Sequence, residues 1–598
     1  MLLLHLLATS VSLVASPNCK WKYVHVALDP ATTALAAVST LSSSSGTTAY
    51  LLHELRSCGG EPTRAVVAKT DDDAVAVSVV PIKLSSKVVH TVSKHYLSFA
   101  SGIIGGCGKV DWHGPKLRYL ASQLAPAVMR LGGTESDCAR YVLPTTKTQP
   151  PPTGLPVCRW GEMNVTIATW TDMIDFVGAV GVNFTFDLNE LDGRHCDPTQ
   201  KDGSASFCVG DWDPANTRDF LTYIKKHNLT RGLIALELGN ELTRAKIGWK
   251  PVLTINQTIQ DMHAFAAVLQ EVWPDAQGEH RRPLQMGPAT ATCVEEDVHR
   301  ILTEAADVLD IYSFHDYPDG AGCGHVSLGE TSVPNMWSDL VNASWLRENG
   351  PTSDFGHTYG NASACVRAYN LTPGSVSLWL TESNAAYQAL QNGSNAFVGL
   401  YWYAVSLGQY AQVGLSIHTY FDFVGSGLSM LGCDPYLGCG ICAESRLEPN
   451  PSYFLAVLHK RLVGTGVLLV TQTGPTNDAA PDDRPLVFAH CARNQGVVLM
   501  WAHPSQKSAI LDIDLGTTHN ALSGRFEQYT LTPSSGSINS TSVSLNGRRL
   551  ALTADDTLPD MGPVAYSAAE AVVIPGGSIG FVVFPDAKTL ACAERADA

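Results

Sequence analysis

Residues 235–241 read ALELGNE, an apolar run that ends in Gly-Asn-Glu. A strand that is apolar along its length and polar at its end suits a parallel sheet covered on both faces, with the last residues at a cleft. The same pattern recurs on both sides of it. Short apolar runs at 96–104, 127–131, 182–188, 232–238, 284–287, 308–315, 376–381 and 413–420 alternate with helical periodicity at 170–180, 213–227, 259–272 and 396–410. Alternation of strands and helices predicts an α/β fold with a parallel sheet. Eight such strands predict a (β/α)8 TIM barrel with its site at the C-terminal strand ends. Beyond residue 449 the pattern changes to short strands separated by turns, at 467–471, 486–490, 497–503, 509–515, 526–532, 542–545, 568–574 and 578–584. That is the pattern of a β-sandwich.

Composition bounds the function. The chain has 598 residues, 45% hydrophobic and only 16% charged, which excludes a disordered protein. Its net charge of −16 excludes the broad basic surface that a nucleic-acid or membrane-surface binder needs. Residues 383–421 contain no Asp, Glu, Lys or Arg. Within them 396–415 approaches the length of a membrane span, but Ser406, Gly408, Gln409, Gln412 and Gly414 mark it as a barrel helix and strand buried in protein. No integral membrane span is expected in the mature chain.

The N-terminal residues 1–16, MLLLHLLATSVSLVAS, read as a signal peptide and imply a secreted, extracellular or lysosome-like location. Nine N-x-S/T triplets, at Asn164, Asn183, Asn228, Asn256, Asn342, Asn361, Asn370, Asn392 and Asn539, agree with export. Asn183 lies in an apolar strand pattern and is expected to be buried and unmodified. The 15 cysteines, with Cys196 near Cys208 and with Cys433, Cys439 and Cys442 clustered, read as disulfides in an exported chain. Only Cys439 and Cys442 have the CxxC spacing of a zinc site, so no metal is expected. Residues 17–73 carry no clear pattern, and the Ser/Thr-rich segment 39–48 reads as a loop. A β-type run begins at residue 74.

A second stretch, 378–387, reads LWLTESNAAY and again ends an apolar strand in an acidic residue, Glu382. Glu241 and Glu382 lie far apart in the chain and meet only through the barrel. Cleavage of a glycosidic bond needs such a pair: one carboxyl group protonates the leaving oxygen while the other attacks the anomeric carbon or activates water. No organic cofactor or metal is needed for that chemistry, and the partner is an oligo- or polysaccharide.

Several collinear blocks make the chain resemble heparanase-type members of glycoside hydrolase family 79. These are 129–137 (MRLGGTESD), 187–191 (DLNEL), 236–241 (LELGNE), 311–317 (IYSFHDY), 378–387, 459–468 (HKRLVGTGVL) and 526–560. The resemblance implies a retaining enzyme with Glu241 as acid/base and Glu382 as nucleophile. It implies that Asn240 contacts the sugar 2-hydroxyl, that His315 and Tyr317 line the cleft, with Tyr317 orienting the nucleophile, and that Asn189 and Thr134 take similar binding roles. It also implies a Cys491–Cys592 disulfide and a sandwich that borrows a strand from before the barrel. The expected division is 1–16 signal peptide, 17–73 unassigned, 74–90 borrowed strand, 91–448 barrel and 449–598 sandwich.

Departures from the family qualify the substrate. Gly425, Ser426 and Gly427 resemble a loop that holds a uronate carboxylate through Gly425 and Gly427, but Ser429 stands near the place of an expected Tyr. Only a short Pro-rich loop, 150–156, lies near the linker that animal heparanases excise, so a single-chain enzyme is expected. Arg244, Lys246 and Lys250, and Lys225 with Lys226, are the local cations available to a polyanion. The expected function is cleavage of β-glucuronidic linkages in a uronate-containing glycan. The alternatives are a retaining β-glycosidase of the same clan acting on a neutral sugar, and a non-catalytic glycan-binding homologue.

Overall fold

The computed structural model describes residues 38–42, 48–55, 63–69, 78–102, 110–144, 163–196, 206–243, 251–274, 282–318, 338–351, 362–372, 374–385, 395–424, 428–432, 447–472, 483–514, 524–587 and 590–593. The signal peptide, the Pro-rich loop 150–156, Arg244, Lys246, Lys250, Gly425, Ser426, Gly427 and Cys433, Cys439 and Cys442 lie outside them. Three N-terminal strands, Val38–Ser42, Thr48–Leu55 and Thr63–Lys69, form an antiparallel sheet. This corrects the loop expected over 39–48 at its two ends, where Val38–Ser42 and Thr48 are paired and β-branched Thr40 and Thr48 suit extended backbone, while 43–47 lie outside the described residues.

Strand β1 (Ser78–Thr91) precedes a closed parallel barrel. Its staves are β2 (Leu97–Ser101), β3 (Val128–Leu131), β4 (Asn183–Leu188), β5 (Leu233–Leu238), β6 (Leu284–Thr290), β7 (Ile311–Asp316), β8 (Ser377–Ser383) and β9 (Ile417–Phe421). They pair in sequence order, and β9 closes on β2. Each of the eight predicted runs became one stave. Asn183 opens β4 half-buried rather than buried, because it stands at the strand's N-terminal end.

Helices α1 (Pro115–Ser122), α2 (Ile167–Val180), α3 (Ala215–Lys226), α4 (Ile255–Val272), α5 (Glu295–Glu304), α6 (Ala362–Leu371), α7 (Phe397–Gln412) and α8 (Pro451–Leu462) accompany the staves. Their ends are set locally. Thr166 caps α2 by accepting from Thr169 N, and Gly181 at φ 75° ends it. Thr254 and Gln257 form a reciprocal capping box at the start of α4. Helix α8 was not legible as a helix and stands where sandwich strands were expected to begin. It precedes β10 (Val463–Gln472) directly.

The second unit is one 11-stranded mixed sheet folded over its own core. It comprises β1, β10, β11 (Leu486–Ala492), β12 (Val497–His503), β13 (Ala509–Asp514), β14 (Arg525–Pro533), β15 (Val543–Leu545), β16 (Arg548–Arg549), β17 (Val564–Ser567), β18 (Val572–Ile574) and β19 (Ser578–Phe584). Of the run expected at 568–574 only Val572–Ile574 is a strand, β18, and a turn at 568–570 separates it from β17, which the sequence did not mark. Strand β1 lies between β10 and β13, so a segment from before the barrel completes the sandwich. A disulfide joins Cys491 on β11 to Cys592 in the short helix Leu590–Ala593. Two more link Cys196 to Cys208 and Cys293 to Cys365. No described helix is long and apolar enough to cross a membrane.

Candidate active site

The C-terminal ends of β3, β5, β7 and β8 converge on one buried polar cluster. Glu241 lies just beyond β5, His315 near the end of β7 with Tyr317 just beyond it, and Glu382 is the last but one residue of β8. One carboxylate oxygen each of Glu241 and Glu382 and a ring nitrogen of His315 lie within 4.8 Å of one another. His315 Nδ1 is 2.7 Å from Glu241 Oε1 and 3.9 Å from Glu382 Oε2. The Tyr317 hydroxyl donates to Glu382 Oε1 at 2.5 Å.

The other oxygen of Glu382 is held by a residue that sequence reasoning passed over. Arg130, 1% exposed on β3, donates from Nη1 to Glu382 Oε2 at 2.9 Å, from Nη2 to Asn240 Oδ1 at 2.9 Å and from Nε to Glu237 Oε2 at 2.6 Å. Burial opposes the charge on this guanidinium, but Glu237, Asp187 and Glu382 together outweigh it and keep Arg130 protonated. The legible signal was charge in an apolar stave: Arg130 in VMRL, Asp187 in NFTFDL and Glu237 in LIALEL. A charge at such a place is excluded from water and needs a partner across the barrel. Gly132 makes room for the fork, since a Cβ there would stand 2.9 Å from Arg130 Cζ and from Asp187 Cβ.

The Gly-Asn-Glu turn is fixed at three successive amides. Gly239 N donates to Leu188 O, Asn240 N to Asp137 Oδ2 and Glu241 N to Ala289 O, at 3.0, 3.1 and 3.1 Å. Gly239 and Glu241 both adopt left-handed backbone, with φ 75° and 59°. Asn240 is thereby aimed at Arg130. Arginine offers only donors, so Asn240 presents its oxygen to it and keeps its amide N–H groups for another partner.

The remaining expected residues fare differently. Asn189 is fully buried and committed: Nδ2 donates to Ala139 O at 3.1 Å and Oδ1 accepts from Leu191 N at 2.8 Å. It shapes the loop after β4 instead of joining the cluster around Glu241. Thr134 opens a short 3-10 helix, Thr134–Cys138, half-buried at the end of β3. Ser429 is buried and donates to Asp422 Oδ1 at 2.6 Å. Lys225 Nζ donates to Val272 O at 2.5 Å at the end of α4, away from the strand ends that gather Glu241 and Glu382. Among the described residues, Glu241, His315 and Glu382 form the one group able to offer three ligand atoms to a metal ion. A cation there would face the Arg130 guanidinium at Glu382.

A closed parallel barrel with paired carboxylates at its strand ends and a β-sandwich beside it is a glycoside hydrolase architecture, and this chain is a glycoside hydrolase. Residues 109–408 match the family model described as glycosyl hydrolase family 79, N-terminal domain, and the chain belongs to that family. Among curated proteins it is 25% identical to heparanase-like protein 1 of Arabidopsis thaliana over 528 residues, covering 81% of this chain and 86% of the relative. It is 24% identical to baicalin-beta-D-glucuronidase of Scutellaria baicalensis, again over 81% and 86% of the two chains. Among solved structures, the GH51 arabinofuranosidase of Xanthomonas axonopodis pv. citri shares the fold with a TM-score of 0.52 at 14% identity, covering 85% of this chain and 99% of that one.

Proposed function

We propose that the protein is a retaining β-glucuronidase acting on a uronate-containing glycan, with Glu382 as nucleophile and Glu241 as acid/base. The observation that carries this reading is the closeness of the two carboxyl groups, whose oxygens approach within 4.8 Å. Retaining enzymes keep their carboxyl groups about 5–5.5 Å apart, whereas inverting ones leave about 6.5–9.5 Å for a water. Glu382 attacks the anomeric carbon with its oxygens oriented by Tyr317 and Arg130. Glu241, sharing a proton with His315 Nδ1, protonates the departing oxygen and then takes a proton from the water that releases the sugar. The free amide N–H of Asn240 donates to the sugar 2-hydroxyl, where hydrogen bonds strengthen in the transition state.

The names of the Arabidopsis and Scutellaria relatives support a glucuronide substrate, and the N-terminal sequence supports action outside the cell or in a lysosome-like compartment. One observation favours a neutral sugar as the second reading. The Ser429 hydroxyl is engaged by Asp422 and does not replace the phenol of a Tyr. Aryl β-glucuronide, glucoside, galactoside and xyloside, assayed side by side, separate the two: a glucuronide preference is expected, and a preference for any neutral glycoside overturns the uronate assignment. Glu382→Gln is expected to lower kcat by at least about 10³-fold while sugar binding, measured by calorimetry, persists. Undiminished turnover would remove Glu382 from the mechanism.

A further inference from the structure

We propose that Glu190 is a positioning residue for the turn that carries Glu241. The inference rests on the reading of Glu241 as acid/base. Glu190 follows β4 and is 2% exposed. Its carboxyl group lies directly against Gly239, the first residue of the Gly-Asn-Glu turn. A Cβ added to Gly239 would stand 2.0 Å from Glu190 Oε2 and 3.0 Å from its Cδ. The absence of a side chain at Gly239 therefore serves this contact as well as the left-handed backbone.

A second link joins the same two segments. Asp137 accepts from Glu190 N through Oδ1 at 3.2 Å and from Asn240 N through Oδ2 at 3.1 Å. Asp261 of α4, 3% exposed, faces the Glu190 carboxyl group as a second acidic group. Two carboxyl groups buried beside each other disfavour ionisation of both. Arg194 lies against both residues. Its Nη2 donates to Asp261 Oδ2, its Nε to Glu190 O at 3.1 Å and its Nη1 to Gly210 O at 2.5 Å. The guanidinium favours the ionised form of Asp261. Glu190 is faced by Asp261, Asp137 and Arg194, and Asp261 by Arg194, Glu190 and Asp211. Burial first, and then Asp261, push the Glu190 carboxyl well above the usual range. The acid/base turn thus rests on an uncharged carboxyl group that fills the space beneath Gly239, and loss of that support lets Glu241 drift from the leaving oxygen.

The test separates positioning of an acid from general damage to the fold. General-acid assistance matters for poor leaving groups and little for activated ones. For Glu190→Ala, kcat/KM on phenyl β-glucuronide is expected to fall at least about tenfold, with less than about twofold change on the 2,4-dinitrophenyl glucuronide. Glu190→Gln, neutral and of the same shape, is expected to stay within about twofold of wild type on both. Should the alanine variant not fold, Glu190→Asp, one methylene shorter, withdraws the carboxyl group from Gly239 and is expected to show the same split. Equal losses on both substrates, no loss, or a glutamine variant as impaired as the alanine one would overturn the inference. Glu241→Ala is the control. If it lacks the leaving-group split, the acid/base assignment fails. If it has the split and neither Glu190→Ala nor Glu190→Asp does, only the support role fails.

Discussion

Glu241 holds its place at a local conformational cost. Its φ of 59° is left-handed, a region that costs a side-chain-bearing residue roughly 1–2 kcal/mol and costs glycine almost nothing. The surrounding hydrogen bonds impose it, because Glu241 N must reach Ala289 O while Asn240 faces Arg130. Glu241→Gly is therefore expected to be more stable than Glu241→Ala by about 1 kcal/mol, the reverse of their order in a helix. Chemical denaturation of the two variants measures this, and an alanine variant at least as stable would show that the turn is relaxed. At this scale the sequence revealed both carboxylates, since each ends an apolar strand. It did not reveal Arg130 as the group that ties Glu382, Asn240 and Glu237 together. A single charged residue in a four-residue apolar stave gives no hint of which partners wait across the barrel.

Among the elements, α7 is the one that sequence alone nearly misassigned to lipid. Fourteen of its sixteen residues are buried, because the barrel covers one side and the sandwich strands β11, β12 and β19 cover the other. An all-round apolar helix is what such a position requires. Strand β12 shows the same logic in its continuous burial. Val498, Met500 and Ala502 join the core shared with α7 and the barrel, while Val497, Leu499 and Trp501 fill the sandwich core. Gly408 lets α7 and β11 meet: a Cβ there would lie 2.1 Å from Phe488 Cγ. Gly408→Ala gains helix propensity of about 1 kcal/mol but overpacks a ring fixed between two domains. A net loss of about 1–3 kcal/mol is expected in thermal unfolding, and unchanged stability would mean that Phe488 moves freely. The strand and helix alternation was legible because period and composition are local properties. Helix α8 was not, since its buried run, 451–460, lacks the polar face that marks an amphipathic helix.

For the molecule as a whole, the contact between barrel and sandwich carries buried histidines. His418 of β9, His459 of α8 and His490 of β11 sit near one another, with ring centroids 6.4 Å apart for His459 and His490. Burial pushes His418 down to about 3 and His490 down to about 4, and burial with the nearby His490 and Lys460 lowers His459 strongly. The unfolded chain protonates these rings near pH 6.5, but the folded chain resists until far lower. Between those values the unfolded state binds more protons, so each ring's contribution to stability declines as pH falls from about 6.5 to its folded value. Relative to His490→Gln, wild type is expected to lose on the order of 3 kcal/mol between pH 7 and pH 4. Other titrating groups cancel in that comparison. Parallel stability curves for the two proteins would show that His490 is not held neutral. Across the same contact, Lys116 of α1 pairs with Glu448 and with Asp556 of the sandwich, at 3.3 and 3.0 Å.

By itself the sequence determined which segments are staves, which are sandwich strands, and that two of the staves end in glutamate. Each of these follows from local periodicity and from the rule that apolar runs must be buried. Tertiary structure alone decided the rest: the distance between Glu241 and Glu382, the Arg130 fork that orients one of them, the Glu190–Asp261 pair beneath the other, and the neutral histidines at the domain contact. All of these depend on which residues are brought together out of water, and therefore on the energetic cost of burying charge without a partner.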